Sequence, residues 1–151
     1  MLNRFSSDIL NPELIDLVRR MAFMAEHYDK DAVMHRERVR GYCQLLARNL
    51  GLATDEANLL AHASLLHDVG KVIIPVEIAA KAGKLTPYEW DVTKRHTTFG
   101  AEILRGSTSP LFQAAEVIAL THHERWDGSG YPRGLQGEAI PMSGRICAIA
   151  D

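Results

Sequence analysis

The chain has 151 residues, 46% of them hydrophobic and 24% charged, which fits one globular domain able to bury a core and excludes disordered and fibrous classes. Seventeen Lys and Arg against nineteen Asp and Glu give a formal charge of -2, so no global positive field exists to hold a nucleic acid polymer by counterion release. No run reaches the roughly 18 apolar residues of a spanning helix, and the start MLNRFSSDIL lacks the h-region of a signal peptide, so a cytoplasmic protein without a membrane partner is expected.

Asn11-Pro12-Glu13 supplies a capping side chain, a proline at the first helical position and an acid in the first turn. Leu14, Leu17, Val18, Met21 and Met24 follow at helical spacing and predict a first helix to about His27. A second pattern from about Lys30 to Leu50 carries Val39, Tyr42, Cys43, Leu46 and Leu50 on one side, with Gly51 as its stop. Thr54 reads as the cap of a third helix that runs to Gly70 and delivers His67-Asp68 at its end. Thr86-Pro87-Tyr88-Glu89 is a capping box that opens a fourth helix, carrying Trp90 toward His96. Ser109-Pro110 opens a fifth, whose apolar set Leu111, Phe112, Ala115, Val117, Ile118 and Leu120 leads to His122-His123. Between residues 125 and 141, Gly128, Gly130, Pro132, Gly134, Gly137 and Pro141 forbid a long element, and a loop of that length is usually functional. Ile146, Ala148, Ile149 and Asp151 read as the opening turns of a further helix. With no strand alternation, linker or repeat, the expected architecture is an all-α, single-domain helical bundle. Cys43 and Cys147, 104 residues apart without a CxxC spacing, read as small buried hydrophobes.

Five of the seven histidines, His35, His67, His96, His122 and His123, stand near acids or as an adjacent pair. Asp31 and His35 are four apart and share a helix face; His67 follows His35 by 32, His96 follows Asp68 by 28, His122 and His123 follow by 26 and 27, and Asp151 by 28 more. Each step is about one helix and its turn. Imidazoles and carboxylates delivered one helix at a time are how bundles build dinuclear metal sites, and a set without thiolate suits iron, manganese, nickel or zinc better than a structural zinc knot. Spacing alone leaves a second reading open, in which each histidine is a hydrogen-bonded core residue. His27 and His62 fit no ligand scheme and read as structural or surface residues.

At His67-Asp68-Val69-Gly70-Lys71, completed by Gly130-Tyr131-Pro132, the chain resembles the HD-GYP family of the HD hydrolase superfamily. The similarity runs over residues 31 to 151, through HRERV at 35 to 39, HDVGKVIIP at 67 to 75, AGKLTPYEW at 82 to 90, KRHTTFGAEIL at 94 to 104, HHERWDGSGYPRGLQGEAIP at 122 to 141 and RICAIAD at 145 to 151. What the resemblance implies is a metal-dependent phosphodiesterase, a hydrolase that linearises the bacterial second messenger cyclic di-GMP to pGpG and often onward to GMP. It implies metal ligands at His35, His67, Asp68, His96, His122, His123 and Asp151, with Asp68 bridging two divalent ions, iron or manganese before nickel, zinc or magnesium. Relatives with a third metal have a glutamate four residues before the first histidine; Asp31 stands there with a stem one methylene shorter, so two metals are expected rather than three. Lys71 matches the family's phosphate-contacting lysine, against a plain reading as a surface cation at a helix end. The family continues past its AD pair through a DALTSxRPY pattern, so residues 31 to 151 read as a C-terminally incomplete HD-GYP-like domain, with residues 1 to 30 as an N-terminal helical segment packed on it.

Hydrolysis of a phosphodiester needs a strong nucleophile and relief of charge on the phosphoryl oxygens, which paired metals supply. Lys71 would add a positive charge at the developing oxyanion. Tyr131 can stack on guanine or donate a hydrogen bond, and Arg133 can meet phosphate or guanine. Trp90 and Trp126 read as packing aromatics, and Glu124 and Asp127 as carboxylates that order the loop. Two other functions fit the same residues: a broader HD-type nucleotide phosphohydrolase, and a catalytically weak signalling module whose GYP face engages a diguanylate cyclase (GGDEF) partner. A homodimer is compatible with all three.

Overall fold

Asn11 accepts the Leu14 N–H at 2.8 Å and Pro12 fills the first helical position, so α1 (Pro12–Ala25) starts where the sequence predicts. The computed structural model that gives this geometry describes residues 10–151; the first nine residues of the 1–30 segment lie outside them. α2 (Ala32–Asn49) ends at Gly51, whose φ of 87° is open to glycine at no steric cost. α3 (Thr54–Ser64) begins one residue earlier than expected, with Ala53 in place of Thr54 at the cap and its N–H held by Glu56 Oε2 at 3.1 Å.

The third helix does not run on to Gly70. From His62 its backbone bonds shorten to three-residue steps, Leu65 to His62, Leu66 to Ala63 and His67 to Ser64, while the Ser64 hydroxyl takes the Ala61 carbonyl. His67 and Asp68 therefore sit in tight turns that lead into a 3-10 helix, Val69–Ile73. The fourth helix also divides: α5 (Pro87–Lys94), capped reciprocally by Thr86 and Glu89, stops at Arg95, and α6 (His96–Leu104) opens on His96 itself. A short α4 (Val76–Ala79) after Pro75 has no counterpart in the sequence reading. α7 (Pro110–Thr121) and α8 (Met142–Ala150) appear as expected. The Gly-rich segment between them holds one isolated bridge, Asp127 to Gln136, and a 3-10 turn, Gly137–Ala139. Among the described residues there is no strand, and the all-α expectation holds.

α2, α3, α6, α7 and α8 pack around one core that includes Val39, Cys43, Leu66, Leu111, Ile118, Ile146 and Cys147, with Val18 and Ala22 of α1 closing one side. Both cysteines are buried free thiols, as their spacing suggests. Close backbone approach fixes how the His67-Asp68 turn meets α6: a Cβ on Gly70 would overlap the His96 carbonyl and the Gly100 nitrogen. Those are backbone atoms and cannot swing aside. Gly70→Ala is therefore expected to cost about 3 kcal/mol or more, the upper range for overpacking. Gly41→Ala in α2, where a Cβ meets nothing within 4 Å, should instead gain roughly 0.5–1 kcal/mol. Urea unfolding of the two variants checks both signs.

Candidate metal centre

Seven side chains from five parts of the fold converge. His35 comes from the first turn of α2, His67 and Asp68 from the turns after α3, His96 from the start of α6, His122 and His123 from the end of α7, and Asp151 from the end of α8. They form two groups in which the ligand atoms lie within 4.8 Å of one another, Asp68 with His96, His122 and His123, and His35 with His67 and Asp151. Asp68 joins them: its Oδ1 is 3.2 Å from His96 Nε2 and 3.7 Å from His122 Nε2, and its Oδ2 is 3.1 Å from His67 Nε2. In the second group Asp151 Oδ1 is 2.9 Å from His35 Nε2 and 3.6 Å from His67 Nε2.

The backbone sets which nitrogen faces inward. His67 Nδ1 meets the Ser64 carbonyl at 2.7 Å, His96 Nδ1 that of Thr93 at 2.6 Å, and His122 Nδ1 those of Ile118 and Ala119 at 3.0 and 3.1 Å. An Nδ1–H donated to a carbonyl leaves the Nε2 lone pair pointing at the centre, as metal-ligating imidazoles require. The consequence is a set of polar atoms without ordinary partners. His67 Nε2 and Asp68 Oδ1 are buried and make no hydrogen bond, and His96 Nε2 faces His122 Nε2 at 3.4 Å, two lone pairs opposed. Buried orphans are costly unless something satisfies them, and divalent cations, one in each ligand group, would satisfy them. The donor set thus fits divalent metal ions.

The charges agree. Burial opposes ionisation of Asp68, yet His67, His122 and Lys71 hold its carboxyl well below the usual range. His67 is pushed the other way: burial disfavours its proton, but the adjacent Asp68 charge outweighs that and raises the imidazole to about 9. Burial and the neighbouring histidines lower His96 to about 4 and His123 to about 3. Lys71 stays an ammonium because Asp68 and Glu26 outweigh its burial. Its Nζ lies 2.6 Å from Asp68 Oδ2 and 2.9 Å from Glu26 Oε1.

Beside the first group opens a cleft of about 550 Å³, lined among others by Trp90, Lys94, His122, His123, Tyr131 and Asp151, within the roughly 300–1,000 Å³ usual for small-molecule sites. Tyr131 stacks on His123 with ring centroids 4.8 Å apart and meets the Trp90 edge at 5.8 Å; burial raises its hydroxyl pKa, so it remains a donor. Glu124 is buried and accepts the Arg133 and Leu135 N–H groups at 2.8 and 2.9 Å, and Asp127 accepts from Ser129, so both carboxylates order the loop. Arg133 has an exposed side chain and does not line the cleft. Asp31 joins neither group; it is exposed at the cap of α2, with its N–H on Asp29 Oδ1 at 2.9 Å. His27 and His62 lie apart, His27 turned to the Met24 carbonyl and His62 to that of Asn58. Sequence reading passed over Glu26. Its signal was an acid at the end of a helix, where the dipole disfavours it. Trp90, read as a packing aromatic, walls the cleft.

Residues 16–151 match the profile of the HD domain. A 3'3'-cGAMP-specific phosphodiesterase of Vibrio cholerae is 51% identical over 136 residues, 90% of this chain and 26% of the relative. A cyclic di-GMP phosphodiesterase of Thermotoga maritima is 44% identical over 91% of the chain and 38% of its own length. A cyclic di-GMP phosphodiesterase response regulator of Xanthomonas campestris is 45% identical over 90% and 36%. The chain thus spans about a quarter to two fifths of the curated relatives it matches.

Stripped of metal by a chelator, the domain is expected to be most stable near pH 6.5. His96 and His123 titrate below their ordinary 6.5 when folded, so unfolding takes up protons and stability falls as pH drops toward 4. His67 has the opposite sign: its contribution is full below 6.5 and is lost as pH rises through about 9. Adding manganese at pH 7.5 should release the His67 proton, seen in calorimetry as heat that varies with the buffer. Metal uptake without proton release at that pH would contradict the His67–Asp68 pairing.

Proposed function

The chain belongs to the HD domain family, and from that membership we propose that it is an HD-GYP phosphodiesterase that hydrolyses cyclic di-GMP to pGpG, with GMP as the further product. The observation that carries this reading is the set of buried, unpartnered inward atoms around Asp68, beside a cleft walled by Tyr131 and Trp90. Among the described residues no helix is long and apolar enough to cross a membrane.

Two divalent cations, iron or manganese before nickel, zinc or magnesium, would supply an activated water and relieve phosphoryl charge. His96, His122 and His123 would hold one, His35, His67 and Asp151 the other, and Asp68 would face both. The chain's own contribution begins with rigidity: each Nδ1 bond to a helix-end carbonyl fixes an imidazole before any ligand arrives. Lys71 presents its ammonium at the edge of the centre, where it donates to a phosphoryl oxygen as charge develops there. Tyr131 and Trp90 offer an aromatic wall to a purine, and the Tyr131 hydroxyl, kept protonated by burial, offers a donor. Arg133 is exposed on the outer loop, outside the lining of the cleft.

A second substrate has its own support. The relative from Vibrio cholerae at 51% identity is named for 3'3'-cGAMP, which presents the same 3'-5' phosphodiester with one adenine in place of guanine. The experiment is chromatography of products from both cyclic dinucleotides with manganese- or iron-loaded protein. Cyclic di-GMP turnover supports the first reading, and turnover of 3'3'-cGAMP alone replaces it with the second. Turnover of neither defeats both.

Lys71→Ala is expected to keep its metal and lose about a hundredfold in turnover, the scale of one charge-stabilising group. Elemental analysis beside the rate separates loss of charge from loss of metal. Asp31→Ala should leave two metals per chain in place, because Asp31 lies outside both ligand groups. A third full-occupancy ion that disappears with Asp31→Ala would refute that count.

A further inference from the structure

Lys71 needs an anchor that the metals do not compete for. Asp68 is a poor one. Its Oδ2, 2.6 Å from Lys71 Nζ, also lies 3.1 Å from His67 Nε2, and bound cations would draw on the same carboxylate while repelling the ammonium. We propose that Glu26 is the positioning residue for Lys71, holding its ammonium at the edge of the centre when Asp68 is committed to cations. The proposal rests on the reading of Lys71 as the cation that meets the phosphate.

Glu26 is the residue that ends α1, its N–H on the Phe23 carbonyl at 3.3 Å and its own carbonyl taking the Asp29 N–H at 3.0 Å. A carboxylate there faces the negative end of the helix dipole, and this one is also only 4% exposed. Two cations offset both costs. Arg36 Nη1, itself buried, donates to Oε2 at 2.6 Å, and Lys71 Nζ donates to Oε1 at 2.9 Å. The charges of Arg36 and Glu26 cancel within this row, so Lys71 keeps a full positive charge to offer an anion. A four-carbon stem loses much rotamer freedom when fixed. Glu26 imposes that loss before substrate binds, so it falls outside the catalytic step. α1 thereby contributes directly to the site although none of its residues belongs to the ligand groups.

Removing only Glu26 strands a buried Arg36, which is destabilising in its own right. The test therefore uses Glu26→Gln together with Arg36→Gln, beside Glu26→Asp, which keeps the charge. Manganese-loaded proteins are treated with acetic anhydride, and modification of Lys71 is followed by peptide mass spectrometry. Metal content, kcat and KM are measured on the same samples. The expected result is unchanged metal, faster Lys71 acetylation and kcat lower by about tenfold with KM little moved. Glu26→Asp should recover part of the kcat, and in a Lys71→Ala background the double change should cost nothing further. Equal acetylation with unchanged kcat, or a tenfold loss that persists without Lys71, overturns the proposal. If Lys71→Ala alone leaves turnover intact, the functional reading of Lys71 fails, whereas acetylation still decides whether Glu26 holds it.

Discussion

The buried Asp68 carboxylate is the constraint on which the rest of the structure depends. An ionised carboxylate that is only 6% exposed is tolerated where cations and donors surround it. Here Lys71 and His67 stand 2.6 and 3.1 Å from one oxygen, while His96 and His122, at 3.2 and 3.7 Å, face the other across the space a cation would fill. No single helix could supply these. His67 shares its turn, but His96 and His122 come from α6 and α7, so the two helices must meet the turn after α3 closely. Gly70 and Gly100 permit that contact, because backbone there lies where a side chain would otherwise be.

Helix ends do most of the positioning. His96 is the first residue of α6, and His122 is the residue that ends α7. Each turns its Nδ1 to a nearby carbonyl, and His67 does the same after α3. Carbonyls at these helix ends already accept a backbone N–H and keep a second lone pair, so a ring nitrogen that donates to one fixes the tautomer at once. That bond, made at the helix end, aims the ligand. Breaks at Ser64 and Arg95, which shorten the expected helices, are what free these residues to face inward.

The Gly-rich segment is organised by one buried acid. Glu124 accepts two loop N–H groups and thereby holds the chain on either side of Gly134, while Gly130 lies against the His123 and Arg125 backbone where a Cβ would overlap both. Tyr131 is carried over His123 as a result. The HD domain thus couples its loop to the metal-facing histidines through adjacent residues, Glu124 following His123 directly in the chain.

The helical periods, the capping signals at Asn11 and Thr86, and the Gly- and Pro-broken loop were legible in the sequence because they depend on local backbone preferences. The residues around the centre stood out in the sequence because histidines and acids recur at steps of about one helix and its turn, and the HD-GYP resemblance marked the seven among them. Where a helix stops was not: the shift to three-residue bonds before His67 and the break at Arg95 follow from how tightly α6 meets the preceding turn. The partnership of Glu26 with Lys71, 45 residues apart, and the exposure of Asp31, which its helical spacing alone had aligned with His35, were likewise decided by tertiary structure. Local pattern fixes which face of a helix a residue occupies, whereas only the packing of one helix end against another fixes what that residue meets.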